Sequence, residues 1–274
     1  MTGIGPYSFE VIFFFAAVLI AWVTARLAAR KVPGSVHGLL LDAVFWGAVA
    51  ARLVYVAMWW PDYAASPRSI VSLSDGGFSW WAGVCVALAL VWWKTRSSRA
   101  LRAPLLSGLA AGVVVWFAAA GVLQQLRTQA PPLPLPDVAL HALDGQSVSL
   151  DAYLGKPVVL NLWASWCPPC RREMPVLQQA QAEFPQVNFV LINQGESAQH
   201  IRDFLGREHL EFKDMLLDPA SRMMHAMGAR GLPATLFFDA QGRLVDTHLG
   251  ELTMATLKHT LSRRFSFSSP SHTE

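Results

Sequence analysis

Cys167 and Cys170, in the segment Trp166-Cys167-Pro168-Pro169-Cys170, are the residues of this chain best suited to do chemistry. Two thiols at that spacing can close a disulfide within one helical turn and exchange it with another thiol–disulfide couple. The only other cysteine, Cys85, lies in an apolar run. One such pair is too little for a structural disulfide framework, and no second Cys/His pair stands at zinc spacing. A redox pair is the better reading. The eight histidines show no metal-ligand spacing, so no metal and no cofactor beyond the Cys167–Cys170 disulfide is expected.

The elements around the pair are legible. Val158-Val159-Leu160-Asn161-Leu162-Trp163 is a continuous apolar run, as expected of a buried central strand. A helical pattern runs from Pro168 to about Phe184, and Pro175 is expected to kink it. Unpaired N–H groups and the helix dipole at an N-terminus favour a thiolate over a thiol. Cys167 is therefore expected to be the activated, exposed nucleophile. Cys170, one turn later and more buried, resolves the mixed disulfide. Neither Pro168 nor Pro169 has an N–H, which removes two potential donors to the Cys167 sulfur and points to a more reducing couple.

The rest of residues 137–263 alternates strand and helix. Val187–Ile192 reads as strand, Ala198–Arg207 and Pro219–Met227 as helices, and Thr253–Arg263 as a closing helix. Thr235-Leu236-Phe237-Phe238 and Arg243–His248 read as paired strands about Gln241-Gly242. The expected fold of this half is an α/β sheet. Residues 264–274 read as a disordered tail.

The first half is different. The chain of 274 residues is 53% hydrophobic, with a mean hydropathy of +0.33, and the apolar excess lies before about residue 124. Four stretches there are each read as long enough to cross a bilayer, which takes roughly 20 residues: about Phe9 to Ala29, Leu39 to Trp60, Phe78 to Trp93, the shortest, and Pro104 to Leu123. Arg26, Arg30 and Lys31 surround the first loop, and Lys94, Arg96, Arg99 and Arg102 fill the third. Positive-inside placement puts those loops in the cytoplasm. The N-terminus and everything after the fourth span then lie outside, which in a diderm bacterium is the periplasm. The basic residues follow the first apolar run, which argues against a cleaved signal peptide. Asp42 and Arg52 sit inside the second span. They are about 15 Å apart along a helix, too far to pair, and Arg52 is expected to snorkel outward if it has no function. A net charge of +3 gives no nucleic-acid footprint.

Between the halves, residues 125–136 read as a linker. Its Ala130-Pro131-Pro132-Leu133-Pro134-Leu135-Pro136 favours extended polyproline II, a spacer of roughly 20 Å. The expected architecture is thus a four-helix membrane domain over residues 1–124, the linker, and an α/β domain over 137–263.

Two resemblances sharpen this. Gly5-Pro6-Tyr7-Ser8-Phe9, Ala51-Arg52-Leu53-Val54-Tyr55-Val56 and Asp75-Gly76-Gly77-Phe78-Ser79-Trp80-Trp81-Ala82-Gly83 resemble the opening of bacterial prolipoprotein diacylglyceryl transferases. That family has a histidine-glycine-glycine run where this chain has Trp81-Ala82-Gly83. Its Gly-Arg-x-Gly-Asn-Phe signature is unmatched in the fourth span. The resemblance implies a degenerate transferase-like anchor, with membrane lipid as a partner.

The second resemblance spans nearly the whole α/β half. Trp163-Ala164-Ser165-Trp166-Cys167-Pro168-Pro169-Cys170-Arg171-Arg172-Glu173-Met174-Pro175 resembles the TlpA/ResA branch of thioredoxin-like proteins. So do Leu143-Asp144-Gly145-Gln146, Gly155-Lys156-Pro157-Val158-Val159-Leu160-Asn161 and Gly228-Ala229-Arg230-Gly231-Leu232-Pro233-Ala234-Thr235. The resemblance implies a thioredoxin fold and extracytoplasmic dithiol–disulfide exchange, usually in the reducing direction. Pro233 then carries over as the cis-proline, with the Leu232 backbone facing the cysteines to pair with an extended substrate. Glu173 carries over as the acidic residue three positions after the second cysteine, where it either moves protons or is a helix-surface charge. Trp166, Pro168 and Leu232 are the candidate substrate-binding residues; Trp163 and Trp166 either shape that surface or pack beneath it.

The implied partners are disulfide-containing periplasmic proteins. Apocytochrome c during cytochrome c maturation, a copper-site assembly protein and damaged proteins all stay open as substrates. With a lone membrane thiol, the anchor cannot relay electrons by its own dithiol chemistry, so a DsbD-like membrane donor is implied. An oxidase of the same chemistry, and a lipid-binding or lipid-transferring protein with an accessory redox domain, are the alternatives.

Overall fold

The computed structural model describes residues 3–4, 7–30, 36–65, 70, 76–96, 98–129 and 133–265. The chain divides into two compact units, one built from residues 2–64 and 77–131 and the other chiefly from residues 132–274.

The first unit is helical. A two-residue hairpin, β1 (Gly3–Ile4) against β2 (Tyr7–Ser8), leads into α1 (Phe9–Ala28). Then come α2 (Val36–Met58), the short α3 (Trp60–Ala65), α4 (Trp80–Lys94) and α5 (Arg102–Gln129). The four long helices coincide with the four expected apolar stretches. By length and composition, Gly38–Met58 and Arg99–Leu123 are long and apolar enough to cross a membrane, while the apolar parts of α1 and α4 are shorter. Helices α1 and α5 pack through small residues: a Cβ at Gly108 would lie 2.6 Å from the Ala21 carbonyl oxygen, so glycine permits the close approach.

The two charges in α2 find separate partners. Asp42 pairs with Lys94 of α4 at 2.9 Å, both side chains half exposed. Arg52 does not snorkel outward. It is buried, donates to the Gly77 carbonyl at 2.9 Å and lies over the Tyr63 and Phe78 rings. A guanidinium surrounded by helices finds nearer acceptors in the bundle than at its edge.

The second unit is a seven-stranded sheet in the order β4-β3-β7-β6-β5-β8-β9. The strands are β3 (Leu140–Ala142), β4 (Ser147–Val148), β5 (Val158–Trp163), β6 (Asn188–Gln194), β7 (Asp214–Asp218), β8 (Ala234–Phe238) and β9 (Leu244–Leu249). The helices are α6 (Pro168–Glu183), α7 (Ala198–Glu208), α8 (Arg222–Ala226) and α9 (Met254–Arg264). Strand β5 is central, parallel to β6 and antiparallel to β8, and buried along its whole length. Its alternate residues feed two cores: Val159 and Trp163 face α6, α7 and α9, whereas Leu160 and Leu162 face α8. This is the thioredoxin-like α/β fold.

Two expectations need correction. The linker does not start at residue 125, because α5 continues to Gln129. Nor is its proline-rich end a free spacer. Leu135 N–H donates to the Gly242 carbonyl at 2.8 Å, Leu244 N–H donates to the Leu133 carbonyl at 2.9 Å, and Pro134 bridges Arg243. Residues 133–136 thus belong to the α/β unit, where Leu135 packs against the core. Extended proline-rich chain is already shaped to lie beside a strand end, and a half-buried leucine holds it there. Residues 130–132, and 266–274 of the expected tail, lie outside the described residues.

Candidate functional site

Strand β5 ends at Trp163, and the chain turns through Ala164-Ser165-Trp166 to enter α6. Cys167 is the N-cap of that helix, with Pro168 and Pro169 in its first turn, where a missing N–H costs nothing. Cys167 and Cys170 are joined in a disulfide with their Cα atoms 5.3 Å apart. The Cys170 N–H, at the third helical position, approaches Cys167 Sγ at 3.3 Å. It occupies the place from which a backbone N–H ordinarily donates to the side chain that caps the helix. Pro168 and Pro169 supply no such donor.

Cys167 is not exposed as expected. Only 3% of its surface is accessible, while its neighbour Trp166 is 69% exposed. In the disulfide the cysteine is drawn into the core with Trp163, Ala164 and Cys170. Trp163 is therefore a packing residue, its ring tilted against that of Phe204 with centroids 5.5 Å apart, and Trp166 is the exposed aromatic beside the pair. Pro168 is exposed and Pro169 half-buried. Pro175 lies within α6, which runs unbroken through it.

Strand β8 runs antiparallel to β5, so its start meets the end of β5: Ala234 pairs with Leu162. That register brings the Leu232–Pro233 bond, which is cis, to the cysteine end of the sheet. The Pro233 carbonyl accepts from Gly250 N–H at 2.9 Å. Leu232 is half-buried and packs against both cores.

Of the two readings of Glu173, the structure excludes the helix-surface charge. Glu173 is fully buried on the stripe of α6 that also carries Cys170, Met174 and Leu177. Its Oε1 accepts from Asn161 Nδ2 at 2.7 Å and its Oε2 from Leu252 N–H at 2.8 Å. Asn161 Nδ2 also donates to Thr235 Oγ1, its cross-strand neighbour, at 3.0 Å. Burial pushes the Glu173 carboxyl up to about 8. The Leu252 and Asn161 hydrogen bonds oppose that rise, and the Glu251 charge adds to it. A carboxyl so poised, one helical turn from Cys170, is able to hold or release a proton near neutrality.

A second carboxylate was missed by sequence reading. Glu196, between β6 and α7, accepts from Ser165 N–H at 2.7 Å, from Ser165 Oγ, and from Asn193 Nδ2 at 2.6 Å. His200 Nε2 lies 3.0 Å from Ser165 Oγ. Burial works against the Glu196 charge, but the Asn193 and Ser165 hydrogen bonds outweigh it and hold the carboxyl below its ordinary value. Glu196 thereby fastens the loop that delivers Cys167. The signal was a glutamate in Gln194-Gly195-Glu196-Ser197, at the point where a strand gives way to a helix cap. No group of three or more His, Cys, Asp or Glu at metal-binding spacing occurs among the described residues.

Comparison with known proteins agrees with both halves. The Redoxin family matches residues 132–261, and the prolipoprotein diacylglyceryl transferase family matches residues 4–123. Thiol-disulfide oxidoreductase ResA of Halalkalibacterium halodurans is 34% identical over 116 residues, which are 42% of this chain and 65% of that protein. ResA of Geobacillus thermodenitrificans is 32% identical over 128 residues, 46% of this chain and 73% of that protein. The crystal structure of StoA from Bacillus subtilis aligns with a TM-score of 0.41 and 26% identity, covering 47% of this chain and 98% of StoA. The chain spans a little under two thirds of the first of these relatives and nearly three quarters of the second. On the likeness to the second of these ResA proteins the chain belongs to the ResA-type thiol-disulfide oxidoreductases, while its N-terminal half is helical and matches the prolipoprotein diacylglyceryl transferase family over residues 4–123.

Proposed function

We propose that this enzyme is a membrane-anchored periplasmic reductase of protein disulfides, working through Cys167 and Cys170. The observation that carries the reading is the disulfide at the head of α6, capped by one backbone N–H and neighboured by a buried, proton-poised Glu173.

The Cys167 thiolate attacks a substrate disulfide, and one substrate sulfur leaves as thiolate. Cys170 then gives its proton to Glu173 and attacks Cys167 Sγ. The second substrate thiolate leaves, and Cys167–Cys170 remains as the disulfide. The substrate has gained two electrons and the pair has lost them. The exposed Trp166 and Pro168, with the Leu232 backbone beside cis-Pro233, form the surface on which an extended substrate lies. A dithiol donor of DsbD-like type must restore the pair. The reducing direction is favoured by the two missing donors at Pro168 and Pro169, which leave the Cys167 thiolate less stabilised and the couple more reducing.

The four apolar helices form the anchor, each crossing the membrane. Their outward apolar side chains, such as Phe15, Phe45, Leu53 and Val114, suit a lipid surround. Loops rich in Lys and Arg lie in the cytoplasm, and residues after α5 in the periplasm. Lipid contact is also consistent with the transferase-type match over residues 4–123.

The test is the redox state of the pair in living cells, read by thiol alkylation. A mostly reduced pair is expected. A mostly oxidised pair, or a couple as oxidising as about −120 mV, would make the protein an oxidase. Diacylglyceryl transfer that survives Cys167→Ser with Cys170→Ser would instead favour the lipid-transfer alternative. Cys170→Ser should strand substrates as mixed disulfides on Cys167, and their identity would show whether cytochrome c maturation is served.

A further inference from the structure

Glu173 must be held in place both with and without its proton if it is to serve Cys170, and only one of its partners is able to adapt. Oε2 faces the Leu252 backbone N–H, which is always a donor. Any proton therefore resides on Oε1. Oε1 faces Asn161 Nδ2, also a donor, at 2.7 Å. A protonated Glu173 would set donor against donor across that contact. The same amide nitrogen serves Thr235 Oγ1, while Asn161 Oδ1 is buried without a hydrogen-bond partner among the described residues. A buried acceptor left unmade is costly. It is also the group that the protonated carboxyl lacks.

We propose that the Asn161 side-chain amide reverses when Glu173 takes up a proton, which makes Asn161 the positioning residue that holds Glu173 hydrogen-bonded in both of its states. With Glu173 ionised, Nδ2 donates to Oε1 and to Thr235 Oγ1. With Glu173 protonated, the amide turns by half a rotation. Oδ1 then accepts the Oε1 proton and the Thr235 hydroxyl proton. The threonine permits this because a hydroxyl both donates and accepts. Thus the carboxyl need not move between accepting the Cys170 proton and releasing it. The other surroundings are fixed: Asn161 and Thr235 are the neutral neighbours on β5 and β8, Leu252 presents backbone, and the nearby Glu251 charge is paired with Arg172 at 2.8 Å.

This inference rests on the reading of Glu173 as the proton acceptor, and the experiment separates the two. Full-length protein in detergent, with Cys85→Ala in every sample, is loaded on Cys167 with 5-thio-2-nitrobenzoate as a mixed disulfide. Release of the coloured thiolate then reports the attack by Cys170 as a function of pH. The native site is expected to show one inflection. Asn161→Leu removes the amide donor to a charged oxygen. The inflection should move upward by about one unit or more, with release about tenfold slower below it. Asn161→Asp should split the single inflection into two, since two carboxyls then share a proton. In selectively labelled protein, the Asn161 side-chain NH2 resonance should move with the same midpoint as the rate. An NH2 resonance that stays still through that midpoint, or an Asn161→Leu profile that matches the native one, overturns the reversal. A Glu173→Gln profile that matches the native one overturns instead the role of Glu173.

Discussion

Leu133 and Leu244 are joined by a 2.9 Å hydrogen bond from the Leu244 N–H to the Leu133 carbonyl, so the proline-rich segment is clasped to the start of β9. The clasp closes over Gly242, which sits at φ +75°, with Leu154 and Leu135 packed around it. A Cβ there would lie 2.7 Å from Leu154 Cδ2 and would need a backbone conformation that side chains disfavour. Gly242→Ala should therefore destabilise the α/β unit by about 1 kcal/mol or more. It should also open residues 133–136 to protease in the full chain. Unchanged cleavage in a variant whose stability has fallen would show that the clasp does not depend on this turn.

Glu196 holds the loop before Cys167 through Ser165 and Asn193. Glu196→Ala leaves the Ser165 N–H and the Asn193 amide without their acceptor, which should cost about 2 kcal/mol. Glu196→Gln, which keeps one acceptor, should cost less. The sign of the pH effect follows from its lowered value: the stabilisation is present above the ordinary carboxylate range and lost as pH falls through the depressed one. Thermal unfolding of the two variants at neutral and acidic pH checks both statements. Equal losses at both pH values would remove the carboxylate from the account.

The elements that carry chemistry were legible because their signals are local. The β5 run, the CxxC at a helix start and the Gln241-Gly242 turn each announce themselves within a few residues. Strand β7 did not, because Asp214-Met215-Leu216-Leu217-Asp218 offers three apolar residues between two charges, too short for a period. The surroundings of Glu173 were also hidden. They depend on β5 lying beside β8 and on the Leu252 backbone returning from 79 residues away. The burial of Cys167 has a similar cause: a helix N-terminus usually faces solvent, but here the closed disulfide joins the core while Trp166 beside it is exposed.

Glu173 should make the fold itself sensitive to pH. Its value in the folded state is raised from 4.5 to about 8. Between those values the folded chain holds a proton that the unfolded chain does not, so stability falls as pH rises through that window. The loss is at most about a few kcal/mol. In Glu173→Gln the slope should vanish, because the amide has no proton to keep. Melting of the α/β unit, followed from acidic to mildly alkaline pH in native and variant protein, checks the sign. A native curve that rises over that window would mean that Glu173 is ionised throughout.

Pro169 is the position at which the direction of electron flow can be altered most simply. It is the second residue of α6, and a backbone N–H there would join that of Cys170 in facing the Cys167 sulfur. Pro169→Ala restores the donor. The added hydrogen bond stabilises the thiolate, and with it the reduced pair. The Cys167 pKa should fall by about one unit and the couple should become more oxidising by about 30 mV. The substitution also frees the unfolded chain and should cost up to about 1 kcal/mol of stability, which is measured separately by denaturant unfolding. Equilibration with glutathione gives the potential, and the thiolate absorbance gives the pKa. A native Cys167 pKa already below about 5 would mean that the two prolines do not withhold stabilisation, and the preference for reduction would lose its physical basis.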